Sequence, residues 1–288
     1  MMISFPPSEA LVDHSILTLE LALKAFGLPS RGAILYRIES ILKGSPSPVG
    51  GDPRVDPSEF NEAVSLSYLL HDIGKGMAWY QFRLRERPSG FPFHEVLSAY
   101  VVKEVLEDLS VDLPEVIKLV TWISVLLHHQ AMRDLGAYAK HLENELREVC
   151  ASILSIKPKV RGEDIEDIVL LTKRVRRFMK DIDPNILADS VLNAMERVDF
   201  GRLRGLICRV VTMAEEGRSD ENLELRMAFR ILPLILVPLQ LADATAASLL
   251  RPYTTPLSSR LALETLRLME TRFKLLRRSK LPDYSQKF

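Results

Sequence analysis

Apolar residues recur every three or four positions along most of this 288-residue chain. Leu11, Leu19 and Leu23 show this spacing near the start, and it continues from Ile34 to Leu42. Because an α-helix completes a turn in 3.6 residues, such spacing places the apolar side chains on one helix face. Strand-like alternation of apolar and polar residues is almost absent. The sequence therefore predicts an all-α protein.

Capping residues, prolines and glycines indicate where the helices begin and end. Asp56 followed by Pro57 is typical of a helix N-terminus, and Gly74 ends the same helix soon after His71. The Pro- and Gly-rich stretch 43–58 is predicted to be a surface loop. The predicted helices cover about 8–26, 34–42, 56–71, 93–109, 114–131, 134–155, 163–180, 184–197, 200–216, 220–250 and 257–278.

The composition allows a large core and gives no global sign of a charged partner. Hydrophobic residues make up 47% of the chain, and no linker divides it, so we predict one helical domain over 1–288. Its core would span about 8–250, followed by the helix at 257–278. Lys+Arg and Asp+Glu both total 38, so any contact with nucleic acid must come from a local basic patch. Cys150 and Cys208 are too far apart to suggest a disulfide framework or a zinc knuckle.

The most apolar window, ILPLILVPLQLA from Ile231, is shorter than the ~20 residues that a membrane span requires. It contains Pro233 and Pro238, which are expected to kink the long helix around it. The start of the chain shows no basic segment followed by an apolar one, so no signal peptide is indicated. We therefore expect a cytoplasmic protein without membrane contact.

The stretch SYLLHDIGKG, residues 67–76, places His71 and Asp72 directly after an apolar run. A carboxylate carried into apolar surroundings costs several kcal/mol unless its charge is compensated. A cation is therefore expected close to Asp72.

Further ionisable residues stand in unusually apolar surroundings. His128 and His129 close a stretch that is apolar on nearly every face, which predicts a central buried helix. Asp243 is the only charged residue between Arg230 and Arg251. Neutral imidazole is the commonest side-chain metal ligand. A metal therefore explains the two adjacent histidines and the isolated carboxylate together.

Each of these residues also has a purely structural interpretation. A single buried histidine usually bonds to a backbone carbonyl, and Asp243 can bond to Thr245. His94 can cap the helix that it begins, and Asp13 can cap the helix next to His14 without help from that histidine. The metal interpretation is stronger for the whole set than for any single member.

The order of these residues resembles the HD superfamily of metal-dependent phosphohydrolases. The motifs HDIGK, FHEVLS, LLHH and LAD look most like the stand-alone HD nuclease of type I CRISPR systems, which has no fused helicase. The resemblance extends from His14 to about Ser248. It implies a compact multi-helix HD-domain bundle with a metal site at its centre.

The resemblance also implies the ligands of one or two divalent metal ions. One ion would be held by His14, His71, Asp72 and Asp243, and a second by Asp72 together with His94, His128 and His129. Imidazole and carboxylate ligands favour Mn, Fe, Co, Ni or Zn over Mg, but the metal stays open among these six. Asp72 and Lys75 would take part in the reaction, Asp72 by bridging the ions and Lys75 by stabilising developing negative charge.

The activity implied by the resemblance is metal-dependent hydrolysis of single-stranded DNA during CRISPR interference. The chain contains no Walker A loop, so a separate helicase subunit and an RNA-guided surveillance complex would be partners. A basic cluster could contact the DNA, or could simply be the solvated face of a helix. Its members are Lys173, Arg174, Arg176, Arg177 and Lys180.

Two other functions stay open from the sequence. An HD phosphohydrolase of a dNTP or cyclic nucleotide would use the same metal ligands in a closed pocket. A non-catalytic HD-like scaffold is disfavoured, because a decayed site should have lost ligands. Endonucleolytic and exonucleolytic cleavage are both compatible with the motifs.

Overall fold

The computed structural model describes residues 1–5, 9–23, 31–43, 55–86, 91–129, 151–152, 154–176, 178–179, 182–216 and 222–250. These residues are almost entirely helical, so the predicted all-α fold class is confirmed. The exception is a small antiparallel hairpin of β1 (Ile3–Phe5) and β2 (Glu9–Ala10). The predicted helix at 257–278 and most of the one at 134–155 lie outside the described residues, and the single-domain assignment stays a prediction.

The helices follow the predicted order. Their bounds are α1 (Leu11–Ala22), α2 (Arg31–Lys43), α3 (Pro57–Leu70), α4 (Ala78–Glu86), α5 (His94–Asp108), α6 (Glu115–Leu126), α7 (Gly162–Val175), α8 (Pro184–Arg197), α9 (Phe200–Glu216) and α10 (Leu223–Leu250). A short 3₁₀ helix, Ile73–Gly76, follows α3. The first helix begins at Leu11, later than predicted, because the hairpin occupies the residues before it. Helix α4 was not predicted.

Helix α3 begins with the predicted cap. The carboxylate of Asp56 accepts hydrogen bonds from the backbone N–H groups of Ser58 at 2.7 Å and Glu59 at 3.2 Å. These bonds satisfy two donors that have no partner inside the helix. The helix ends at Leu70 with His71 as its C-cap. The His-Asp pair therefore lies at a helix end, as the sequence indicated.

The core is built around α5 and α6, which are buried along most of their length. Helix α6 packs against α5 on one side and α10 on another, and α10 also packs along α1. The stretch from Val116 to Leu126 can enter the core because it is apolar on nearly every face. This packing brings the ends of α3 and α6 towards the middle of α10.

Helix α10 continues through Pro233 and Pro238. Each proline lacks the N–H that would bond to the carbonyl four residues earlier. In the same region the Tyr68 hydroxyl donates to the carbonyl of Ile235 at 3.1 Å. This hydrogen bond joins α3 to α10 close to the predicted metal ligands.

By length and composition alone, the segment Glu224–Leu250 is apolar enough to cross a membrane, and half of its apolar window is buried in the structure. The predicted window from Ile231 is too short to cross a membrane, but the helix around it extends well beyond both ends of that window. Core helices pass the same test, and α10 packs against α1 and α6. The finding is therefore weak evidence for a membrane span.

Gly74 allows the 3₁₀ helix to pack directly against the start of α5. A Cβ atom at this position would collide with the carbonyl oxygen of His94 and would lie 2.8 Å from the Cβ of Leu97. The Gly74 N–H also donates to the Ser98 hydroxyl at 2.9 Å. Because the colliding oxygen belongs to the backbone, Gly74→Ala should force the two elements apart. We expect the free energy of unfolding to fall by about 1–3 kcal/mol.

Denaturant unfolding followed by circular dichroism measures this change. Gly205→Ala is the matched control, because Gly205 lies in α9 and, apart from its neighbours in that helix, no described atom lies within 4 Å of the added Cβ. Alanine there should be neutral or stabilising by about 0.5–1 kcal/mol, since glycine is unfavourable inside a helix. Equal unfolding free energies for the two variants would contradict the close approach at Gly74.

Candidate metal centre

The structure brings together all seven side chains that were predicted as metal ligands. Their donor atoms form two groups, and within each group these atoms lie within 4.8 Å of one another. Helix α1 supplies His14, the end of α3 supplies His71 and Asp72, the start of α5 supplies His94, the turn after α6 supplies His128 and His129, and α10 supplies Asp243. The same two groups were implied by the motif resemblance.

The first group surrounds one oxygen of each carboxylate. The Nε2 atom of His14 lies 3.0 Å from Oδ1 of Asp243 and 3.3 Å from Oδ2 of Asp72. The Nε2 atom of His71 lies 3.6 Å from each of the same two oxygens. Two nitrogens and two oxygens therefore converge on one small volume.

The second group lies on the other side of Asp72. Its Oδ1 atom is 3.1 Å from Nε2 of His94 and 3.5 Å from Nε2 of His128. The Nε2 atoms of His94 and His129 are 2.9 Å apart. Asp72 therefore directs one oxygen to each group, as a bridging ligand would.

Backbone carbonyls set the orientation of three of the histidines. In each case Nδ1 lies 2.6 to 2.8 Å from the carbonyl oxygen of the residue three positions earlier. The pairs are His71 with Tyr68, His94 with Phe91 and His128 with Val125. An Nδ1–H that donates to a carbonyl leaves the lone pair on Nε2, which faces the centre. The carbonyl-bonded and metal-ligand interpretations are therefore compatible with each other for these side chains.

The backbone turns sharply just before His94. Phe93 has a φ angle of 64°, in the left-handed region that residues with a side chain rarely adopt. Such a conformation costs on the order of 1–2 kcal/mol and persists where the surrounding packing enforces it. The Phe93 side chain is buried in the core, which holds this turn and places His94 at the start of α5.

Asp72 is paired with a buried lysine. The Nζ atom of Lys75 donates to Oδ2 of Asp72 at 2.6 Å, and the two residues are 5% and 0% exposed. Burial raises the pKa of Asp72, but Lys75 and the nearby histidines outweigh it and hold that pKa well below its usual value. Asp72 is therefore ionised, and Lys75 is part of the centre rather than a solvated lysine after the helix.

The carboxylates around the first group favour positive charge on His14. Burial lowers the pKa of His14, but contacts with Asp243, Asp72 and Glu9 outweigh it and hold that pKa well above its usual value. Burial raises the pKa of Asp243, but His14 and His71 hold it well below its usual value.

The histidines of the second group differ from one another. Burial lowers the pKa of His128, but Asp72 outweighs it and raises the net value. For His129, burial and then the neighbouring His128 and His94 lower the pKa to about 2. His129 is therefore neutral, as a metal ligand must be.

Several buried polar atoms of the centre lack a hydrogen bond to any described residue. Nδ1 of His14, which lies 2.7 Å from Oε1 of Glu9, is one of them. The other three face the ligand groups: Nε2 of His71, Oδ1 of Asp72 and Nε2 of His128. Buried polar atoms nearly always have a partner, so these three are satisfied best by a bound cation. Nitrogen and oxygen donors in this mixture suit a first-row divalent ion. The buried His and Asp side chains could thus hold one or two metal ions.

The centre opens towards solvent at one of its ligands. The His129 side chain is 37% exposed, whereas that of Asp72 is fully buried. His94 and Asp243, at 9% and 13%, lie between these limits. A substrate would therefore reach the second group from the His129 side.

The fold and this centre define the class of protein: an α-helical domain with a candidate two-metal site built around an HD pair. Searches of protein-family models and of curated proteins find no match. Among solved structures, the chain is similar to the CRISPR-associated Cas3 HD domain protein MJ0384 from Methanocaldococcus jannaschii. The identity is 19%, the match covers 83% of this chain and 100% of that chain, and the TM-score is 0.44.

The predicted DNA-binding cluster is only partly described. Lys173 and Arg174 lie exposed in the last turn of α7, and Arg176 follows it. Arg174 donates to the exposed carboxylate of Asp13 at 3.0 Å. Arg177 and Lys180 lie outside the described residues. A DNA contact by this cluster stays a prediction.

Sequence reasoning missed one residue of the centre, Glu9. Its carboxylate Oε1 lies 2.7 Å from Nδ1 of His14, and both side chains are buried. Glu9 precedes α1 in the strand β2, so helical periodicity could not indicate it. The one available signal was an acidic residue within five positions of a candidate ligand.

Proposed function

We propose that this chain is a metal-dependent HD phosphodiesterase that cleaves single-stranded DNA. The observation that supports it most directly is the position of Asp72, whose two oxygens face two separate groups of imidazole nitrogens. A carboxylate shared in this way is the arrangement expected for a pair of divalent ions. Paired ions are a common solution for phosphodiester hydrolysis.

Bound ions would supply an activated water and neutralise charge on the phosphate. The residues of the chain contribute orientation and electrostatics. Lys75 donates to Oδ2 of Asp72 and helps to hold the pKa of that carboxyl low. The Lys75 ammonium also adds fixed positive charge beside the site, where negative charge develops in the transition state. No serine or cysteine nucleophile is required.

The substrate and partners are inferred from the motifs and the open side of the centre. Exposure at His129 lets a phosphate within a longer strand approach the second group. The motif resemblance supports a cytoplasmic role in CRISPR interference, with a separate helicase subunit and an RNA-guided surveillance complex. Exposed Lys173 and Arg176 would contribute basic surface for the strand.

Substrate preference provides the test. The protein loaded with Mn²⁺, Ni²⁺ or Co²⁺ is incubated with labelled single-stranded DNA, blunt duplex DNA, RNA and a panel of dNTPs and cyclic nucleotides. We expect degradation of single strands, little effect on blunt duplex, and no change on adding ATP, because the chain has no Walker A loop. Metal-free protein is the control.

The other outcomes separate the alternatives. Turnover of a dNTP or cyclic nucleotide in preference to DNA would replace the nuclease with a nucleotide phosphohydrolase. Metal binding without turnover of any substrate would favour the scaffold. ATP-stimulated degradation of duplex by the isolated chain would contradict the need for a separate helicase.

A further inference from the structure

A buried carboxylate lies directly behind one of the candidate metal ligands. Oε1 of Glu9 is 2.7 Å from Nδ1 of His14, with side chains 2% and 0% exposed. The opposite ring nitrogen of His14 faces Asp243 and Asp72. The imidazole is therefore held between Glu9 on one side and the first ligand group on the other.

This arrangement differs from that of the other oriented histidines. His71, His94 and His128 each place Nδ1 against a neutral backbone carbonyl. His14 differs because the closest described partner of its Nδ1 is a carboxylate, whereas the Glu95 carboxylate lies farther from Nδ1 of His94 than the Phe91 carbonyl does. A carboxylate accepts a hydrogen bond more strongly than a neutral carbonyl, and it increases the electron-donating strength of the opposite ring nitrogen.

The N-terminal hairpin explains how Glu9 reaches this position. Strand β2 holds Glu9 opposite Phe5 of β1, and the strand leads without a break into α1. The Leu11 N–H donates to the carbonyl of Met2 at 3.0 Å, which fastens the start of α1 to the hairpin. The hairpin therefore fixes Glu9 relative to the helix that carries His14.

We propose that Glu9 is a positioning residue of the metal centre. It accepts the Nδ1 proton of His14, fixes the tautomer that has its lone pair on Nε2, and strengthens that nitrogen as a ligand. The inference rests on the proposed metal centre, and it adds a residue outside the set that the HD motifs provide. Its predicted effect is confined to the first ligand group.

Glu9→Gln removes the charge while it preserves the shape of the side chain. The amide can either accept from or donate to Nδ1, so it no longer enforces one tautomer. We expect the affinity of the first group for Co²⁺ to fall by about 10- to 100-fold. Calorimetric titration and the visible absorption of bound Co²⁺ measure this loss. Nitrogen-15 NMR of the metal-free protein, recorded at a pH at which His14 is neutral, should show His14 changing from Nδ1-protonated to mixed tautomers.

Glu95→Gln is the matched control. Oε2 of Glu95 lies 3.3 Å from Nδ1 of His94, but the carbonyl of Phe91 is closer to that atom, at 2.6 Å. Glu95→Gln should therefore leave the His94 tautomer unchanged, and it should lower the affinity for Co²⁺ much less than Glu9→Gln does. Glu9→Asp, which keeps the charge but shortens the side chain, should fall between Glu9→Gln and the unsubstituted protein.

The possible results test the role of Glu9 separately from the existence of the metal centre. Co²⁺ affinity and His14 tautomer that are unchanged in Glu9→Gln would overturn the role of Glu9 and leave the metal centre standing. Absence of Co²⁺ binding by the unsubstituted protein would overturn the centre and this role with it. If Glu9→Gln does not fold, Glu9→Asp provides the test. Its affinity for Co²⁺ must then lie below that of the unsubstituted protein, and an equal affinity would overturn the role of Glu9.

Discussion

Asp72→Asn is expected to eliminate metal binding at both ligand groups in a single substitution and to abolish phosphodiester cleavage. Each oxygen of Asp72 faces a different group, and among the described residues Asp72 is the one side chain that belongs to both groups. An amide supplies one weak oxygen donor and no charge. The remaining ligands of each group are mostly histidines, which supply no negative charge and therefore bind a divalent ion less tightly without the shared carboxylate.

Metal-dependent thermal stability measures the loss. A metal at 100 times its dissociation constant stabilises the folded state by about 2.7 kcal/mol. The unsubstituted protein should therefore melt at higher temperature with Mn²⁺ or Co²⁺, and Asp72→Asn should show almost no shift. Elemental analysis of the two proteins gives the metal content directly. Two metal equivalents retained by Asp72→Asn would refute the bridging role.

Asp72→Asn also removes the partner of Lys75, and this effect has to be separated from metal binding. Breaking a buried ion pair from one side costs about 3–5 kcal/mol, because the other charge is left uncompensated. The double variant Asp72→Asn/Lys75→Met removes both charges. It should recover much of the metal-free stability but still bind no metal. This result would show that Asp72 acts as a ligand and not only as an ion-pair partner.

Helix positions were largely predictable because they depend on local signals. Proline after aspartate marks the starts of α3 and α8, and the observed bounds Pro184–Arg197 and Phe200–Glu216 match the predicted ranges. These signals lie within a few residues of the boundaries that they determine. These helix boundaries could therefore be predicted without knowledge of tertiary contacts.

The end of α6 was predicted less well. The helix was expected to reach about residue 131, but it ends at Leu126 and leaves His128 and His129 in the following turn. The ring of His128 takes the carbonyl of Val125 as its hydrogen-bond partner. The Gln240 amide also donates to the carbonyl of Leu127 at 3.3 Å. These contacts come from side chains and from α10, which helical periodicity alone does not show.

The ligand set was predicted from the order of the motifs, but its geometry was not. Asp243 lies more than a hundred residues after His129, and only the packing of α10 against α1 and α6 brings it to the centre. The buried state of Lys75 and the contact between Glu9 and His14 likewise depend on tertiary structure.

Substitutions at His129 and Lys75 separate metal binding from transition-state stabilisation. His129→Ala should lower metal occupancy in the second group and abolish cleavage of single-stranded DNA. Because the His129 side chain is already 37% exposed, its removal leaves no large buried cavity, and the fold should be retained. A loss of activity in this variant can then be assigned to the missing ligand.

Lys75→Met should give the opposite combination of results. Removing the ammonium leaves Asp72 with one cation less, so a divalent ion should bind at least as tightly as before. Turnover should nevertheless fall by ~10² to 10³, the size expected for loss of one preorganised positive donor. Metal content by elemental analysis, measured beside single-strand cleavage rates, distinguishes the two variants.

Normal metal content with full cleavage in His129→Ala would rule out the second ligand group. Loss of metal from Lys75→Met would instead show that the lysine organises Asp72 for binding before any chemistry takes place.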